Sequence, residues 1–171
     1  LPGVAVKLVD ELNNTINTED LPGEIYIKGV NVFSEYWQNP LATAESFVDG
    51  WFRTGDIAVR ERGYYRIMGR SSVDIIKSGG YKLSALEIEG TLLNHPAIAE
   101  CAVIGIADPL WGEAVTAFVV LHPGSSLDLE ATVLWCKSRM SSYKIPRQIR
   151  VVEALPRNAM GKVTKPALRE L

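Results

Sequence analysis

Two short stretches of this chain carry residue types suited to holding a nucleotide and steadying charge on it. Near the end, Leu155-Pro156-Arg157-Asn158-Ala159-Met160-Gly161-Lys162 sets a lysine behind a glycine in a turn-rich segment, just after the apolar run Ile149 to Val152. A lysine at such a loop tip is a point charge on a flexible stem. It can meet a phosphate or carboxylate oxygen and stabilise negative charge that grows in a transition state. Much earlier, Trp51-Phe52-Arg53-Thr54-Gly55-Asp56 ends in a carboxylate, and a carboxylate accepts two hydrogen bonds from a ribose diol. Gly161-Lys162 is not a P-loop: Val163 stands where the Mg²⁺-holding Ser/Thr belongs, and Pro156 where the first glycine belongs. On spacing alone a plainer reading stands beside each, Lys162 as a solvated surface lysine and Asp56 as a turn cap.

Other residues carry the same two readings. Arg70 suits a phosphate or ribose contact, or a surface ion pair. Ser78-Gly79-Gly80 lets backbone approach a ligand closely, because glycine has no Cβ, or is an ordinary hairpin turn. Glu87 is explained by helix capping, and Trp111 reads as an aromatic packed in a loop or as a ligand contact. His95 and His122 each precede a proline at the end of an apolar segment and read as turn residues. Cys101 and Cys136 have no CxxC spacing and no histidine set nearby, so they read as buried free thiols of a reducing compartment, and no metal site is expected.

Composition narrows the class. The 171 residues are 47% hydrophobic and 22% charged, with a formal net charge of −2. That is an ordinary globular chain. No basic stripe points to nucleic acid, and no apolar run approaches the roughly 18 residues of a membrane span.

The elements that must position these residues come in two styles. Val4 to Val9, Gly23 to Gly29, and the pair Trp51 to Val59 and Tyr64 to Met68 around Arg62-Gly63 read as strands. Asn31 to Trp37 is rich in aromatics, and Pro40 to Glu45 reads as a helical turn. Gly69-Arg70-Ser71-Ser72 then breaks the pattern and marks a domain boundary. Residues 1–70 form a β-rich region and residues 71–171 a mixed one. In the mixed region Ile75-Ile76-Lys77 leads into the glycine turn. Ser84 and Glu87 form a capping box, and Ala85, Ile88 and Leu92 share a helical face that Pro96 closes. Ala102 to Ile106 and Val115 to Leu121 are dense apolar strands, buried on both faces. Leu129, Val133, Cys136 and Met140 predict an amphipathic helix, and Ile149 to Val152 a last strand. The expected fold is α+β: a small layer of three or so strands with helices on it, after a β-rich, distorted barrel-like segment.

The order and spacing of these signals carry more than any one of them. Gly23-Glu24-Ile25-Tyr26-Ile27-Lys28-Gly29, Arg53-Thr54-Gly55-Asp56, Gly69-Arg70 through Asp74, Lys77, Gly79-Gly80, Glu87-Ile88-Glu89 and Pro156-Arg157-Asn158-x-x-Gly161-Lys162 together resemble the adenylate-forming superfamily. That superfamily contains acyl-CoA synthetases, peptide-synthetase adenylation domains and firefly-type luciferases. Within it, the run Gly69 to Lys82 looks most like acyl-CoA synthetases of the malonyl-CoA synthetase type.

The resemblance implies ATP with Mg²⁺, a small carboxylic acid and coenzyme A as substrates. The acid is first adenylated with loss of pyrophosphate, then transferred to the thiol of coenzyme A with loss of AMP. Lys162 takes the catalytic role in adenylation. Asp56, Arg70 and Lys82 contact the nucleotide. Lys77, Gly79 and Gly80 line the thiol channel of the second step. The small domain turns between steps about a hinge. The family often has Asp or Lys there, two residues after the arginine; here that position is Ser72, and one extra residue precedes the glycines. The pivot is therefore Ser72 or Val73, with Asp74 the nearest carboxylate. Residues 1 to about 70 resemble only the last stretch of the family's large N-terminal domain, so the chain is expected to be a C-terminal piece, cytoplasmic, that makes no thioester alone. Two other readings stand beside this one: an adenylation domain loading a carrier protein, and a non-catalytic nucleotide- or partner-binding module.

Overall fold

A computed structural model describes residues 2–171. The chain divides into two compact units, one running to Ser72 and the other Val73–Leu171.

The first unit is a six-stranded antiparallel sheet with one short helix. Its strands are β1 (Val4–Val9), β2 (Thr15–Ile16), β3 (Gly23–Gly29), β4 (Phe47–Val48), β5 (Trp51–Glu61) and β6 (Tyr64–Arg70). The order is β2-β1-β3-β5-β4, with β6 also on β5. Arg62 and Gly63, both at positive φ, make the tight turn that joins β5 to β6. Leu8, Val9, Tyr26, Ile57, Ala58, Val59 and Met68 are its buried apolar residues. Helix α1 (Pro40–Ser46) starts on Asn39, whose side chain accepts from Ala42 N, and buries none of its residues. Asn31 to Trp37 forms turns and bends, bringing Phe33 and Tyr36 to an aromatic group with Phe47 and Phe52.

The second unit is a five-stranded sheet: β7 (Ile75–Ser78), β8 (Tyr81–Ser84), β9 (Ile98–Asp108), β10 (Gly112–Leu121) and β11 (Gln148–Val151). β10 is central, antiparallel to β9 along its length and parallel to β11. Both faces of β9 and β10 are covered, which is why they read as dense apolar runs. On one face Val103, Val115, Ala117 and Val119 pack against Ala85, Ile88 and Leu92 of α2 (Ala85–Leu92) and Cys136 of α3 (Leu129–Lys137). On the other, Ala102, Ile104 and Phe118 meet Leu155 and Leu168 of the C-terminal segment. Each fully buried Val, Leu, Ile or Phe side chain among these contributes roughly 1.5–3 kcal/mol, and the alanines less.

The second sheet has more strands than the three or so expected. β8 is only four residues long and runs straight into α2, so it reads as the approach to a helix. Its last residue, Ser84, caps α2 by accepting from Glu87 N at 3.2 Å, while the Glu87 carboxylate pairs with Lys144. Helix α3 also differs from its expected face. Thr132 and Cys136 are buried, Leu129 is 54% exposed, and Met140 lies beyond the helix end while still packing on the core. Thr132 tolerates burial because its hydroxyl donates to Asp128 O at 2.6 Å.

Candidate functional site

In the first unit, Thr54, Gly55 and Asp56 sit in β5 where its pairing is irregular. The β3–β5 register shifts between Glu24 and Tyr26, and the β5–β6 register between Ile57 and Ala58. Gly55 has φ +74, and a Cβ there would lie 3.0 Å from an Arg70 guanidinium nitrogen. Both facts favour glycine. The segment is clasped from three sides. Glu24 accepts from Gly55 N at 3.2 Å and from Arg53 Nη2 at 3.1 Å. The Thr54 hydroxyl donates to Ile25 O and accepts from Asp56 N. Arg70 Nη1 donates to Thr54 O at 2.6 Å. The Glu24 hydrogen bond holds the Arg53 guanidinium above its ordinary range. Burial pushes the Tyr26 phenol up, against the opposing charge of Arg53. The outcome is a carboxylate, Asp56, with its side chain one-third exposed and one oxygen 3.1 Å from Arg70 Nε.

In the second unit, β7 and β8 form a hairpin whose turn is Gly79-Gly80, with φ +58 and +84. Lys77 and Lys82 are direct partners across it. Side chains directly opposite each other on a sheet are neighbours, so the two lysines share one face of the hairpin. The inner face presents Ile76 and Leu83, which anchor the hairpin in the core. Two hydrogen bonds fix the turn, and Trp111 leaves no room for a side chain at Gly79. Gly79 N donates to Trp111 O at 2.9 Å. A Cβ on Gly79 would lie 3.1 Å from the Trp111 ring. Glu113 accepts from Lys77 N at 2.6 Å. The Trp111 ring in turn carries the Arg147 guanidinium 3.6 Å from its centre.

Lys162 lies elsewhere in the second unit, at the close of a tight turn. The Asn158 side-chain oxygen accepts from both Met160 N and Lys162 N at 3.0 Å. The backbone closes the same loop through Asn158 N to Lys162 O and Gly161 N to Asn158 O, each 2.9 Å. Gly161 has φ +78. Arg157 donates to Gly161 O at 2.7 Å and pairs with Glu100. Lys162 itself is exposed. The backbone beneath it is fixed while its ammonium projects outward.

The candidate residues therefore gather in three places: Asp56 with Arg70, Lys77 and Lys82 with Gly79 and Gly80, and Lys162 alone on its turn. Ser72 and Val73 fall on either side of the division between the units. Sequence reasoning missed the supports. Glu24 lies 31 residues from Gly55, and Glu113 lies 36 from Lys77, so no local signal joins them. Asn158 had one, since an asparagine just before a Gly-Lys turn is a turn-capping pattern.

Residues 87–162 match the AMP-binding enzyme C-terminal domain. The malonate–CoA ligase of Arabidopsis thaliana is 46% identical over 99% of this chain. Among solved structures, o-succinylbenzoate CoA synthetase from Bacillus subtilis, bound to its acyl-adenylate intermediate, superposes over 99% of the chain with a TM-score of 0.88 and 35% identity. ATP-bound MatB from Rhodopseudomonas palustris does so over 99% with a TM-score of 0.83 and 38% identity. This chain belongs to the adenylate-forming superfamily. It spans 29% of the Arabidopsis ligase and 34% of each of the two solved chains. Among the described residues no helix is long and apolar enough to cross a membrane.

Proposed function

We propose that this chain is the C-terminal portion of an AMP-forming acid–thiol ligase, working with a larger N-terminal domain that holds the acid. In the first step a carboxylate oxygen of a small acid attacks the α-phosphorus of Mg-ATP and pyrophosphate leaves. In the second step the thiolate of coenzyme A attacks the acyl carbon and AMP leaves. The observation that carries this reading is Lys162, an exposed ammonium on a turn whose backbone is held by Asn158 and Arg157. Such a group lies ready to bridge the acid and the α-phosphate and to offset the charge that builds between them.

Asp56, steadied by Arg70, takes the ribose hydroxyls. Lys82 meets the phosphates of ATP. Lys77 and the Gly79-Gly80 turn line the path of the thiol, and glycine there lets a narrow pantetheine arm run close to backbone. Ser72 or Val73 is the pivot between the two steps, and the division of the chain at that point supports it. Malonate is the favoured acid, supported by the name of the 46% identical relative. The cytoplasm suits the two free cysteines.

The test is Lys162→Ala in the ligase comprising this chain and its N-terminal domain. Pyrophosphate release from ATP and acid is timed separately from thioester formation starting with supplied acyl-adenylate. The first should fall by about 10²-fold or more and the second should be largely kept. Equal loss of both, or loss of neither, would end the reading.

A further inference from the structure

Three residues beyond Lys162, a second lysine is buried. Lys165 is 9% exposed, and its Nζ lies 2.6 Å from Asp74 Oδ1 and 2.8 Å from Glu89 Oε1. Asp74 immediately follows Val73, and its backbone oxygen accepts from Ala85 N at 2.8 Å. Glu89 is on α2, and the same Oε1 accepts from Val103 N of β9 at 2.7 Å. One ammonium thus ties the C-terminal segment to the first residues of the second unit, to a helix and to a central strand pair. An unpaired buried charge is costly, so this geometry is strongly preferred over any in which Lys165 swings free.

The chain between the two lysines has little slack. Thr164 N donates to Pro156 O at 2.8 Å, Val163 is bridged to Arg157, and Ala167 N donates to Thr164 O at 3.0 Å. Lys162 is therefore joined to the Lys165 anchor by a short, hydrogen-bonded path. We propose that Lys165 is a positioning residue. It clamps the Lys162 turn to Asp74 and Glu89, so that rotation about Ser72 or Val73 carries the Lys162 ammonium with the whole unit instead of leaving it on a loose tail. This rests on the proposed adenylation role of Lys162. Adenylation depends on where that ammonium stands, and a displacement of about 1 Å can cost about 10²-fold. The thiol step, assigned to the hairpin, does not.

The experiment uses the same two-domain ligase with Lys165→Met, Lys165→Arg and Lys162→Ala, measuring the two half-reactions separately. Lys165→Met should slow adenylation by about 10²-fold through kcat, with KM for ATP and the thioester half-reaction kept within about three-fold. Lys165→Arg should restore most of the lost rate. If Lys165→Met leaves adenylation intact, or slows both half-reactions alike, the proposal is wrong. Should Lys165→Met fail to fold because two carboxylates are left facing each other, the triple change Lys165→Met, Asp74→Asn, Glu89→Gln removes the charges together. Selective loss of adenylation in that variant supports the clamp, and full adenylation overturns it. Lys162→Ala separates the two ideas. If it loses adenylation while the Lys165 variants do not, only the clamp falls. If it keeps adenylation, the role of Lys162 falls and the clamp with it.

Discussion

Arg70 Nε stands 3.1 Å from Asp56 Oδ1, and the two are direct register partners on β5 and β6. The pair is more than a third exposed on the arginine side, so it contributes at most about 1 kcal/mol to stability. Its effect is orientation: the guanidinium also donates to Thr54 O, which holds the Asp56 carboxylate at the mouth of the irregular segment of β5. In the proposed two-domain ligase Asp56→Asn should therefore raise KM for ATP by about ten-fold or more while thermal unfolding moves little. An unchanged KM would remove Asp56 from the nucleotide site.

Gly79 meets Trp111 with no room to spare. Alanine there must adopt φ +58 and bring its Cβ 3.1 Å from the indole. The left-handed conformation alone costs about 1–2 kcal/mol. Gly79→Ala should destabilise the protein by about that much and, in the proposed two-domain ligase, slow the thioester step more than adenylation. Thioester formation at the wild-type rate in a folded Gly79→Ala protein would show that the hairpin does not line the thiol path.

Glu89 offers a pH test. Burial raises its pKa above the usual carboxylate value, and the hydrogen bond and charge of Lys165 only partly oppose this. The folded state thus binds the Glu89 proton more tightly than the unfolded state. The stability associated with this group is fully present below the unfolded pKa and is lost as pH rises through the folded one. Urea unfolding of wild type and Glu89→Gln between about pH 4 and 7 should show the difference in stability moving in favour of glutamine as pH rises. Movement the other way would mean that pairing with Lys165 outweighs burial.

The cysteines should be inert. Burial pushes Cys101 up to about 12, with a smaller contribution from the charge of Glu89, and burial also raises Cys136. A thiol held protonated is a poor nucleophile. At about pH 8 the folded protein should react with maleimide much more slowly than the protein in guanidinium, where both of its cysteines are labelled. Fast labelling of one thiol in the folded state would contradict the placement of β9 and α3.

Much of this was legible from the chain itself. Val4 to Val9 is a strand in the structure, although adjacent Leu8 and Val9 are both buried while Val6 is exposed, and the dense apolar runs at Ala102 to Ile106 and Val115 to Leu121 are strands whose pattern matches burial on both faces. The Ser84 cap and the Ala85, Ile88, Leu92 face likewise stand where local pattern put them. Motif order alone pointed to the superfamily. Local sequence also determined the glycine turn at Gly79-Gly80 and the Asn158 to Lys162 loop, since φ above zero and a side-chain turn cap are short-range effects.

Tertiary structure decided what local pattern cannot carry. The buried stripe of α3 fell on Thr132 and Cys136, away from Leu129, because the sheet's position and not the helix's own period determines which side is covered. Glu24 reached Gly55, Glu113 reached Lys77, and Lys165 reached Asp74 across 91 residues. Those pairings are charges finding partners after the chain has closed. A carboxylate and a distant amide or ammonium exert no mutual pull in the sequence. Only when folding removes water around them does leaving either one unpaired become costly, and only then does the partner become determined.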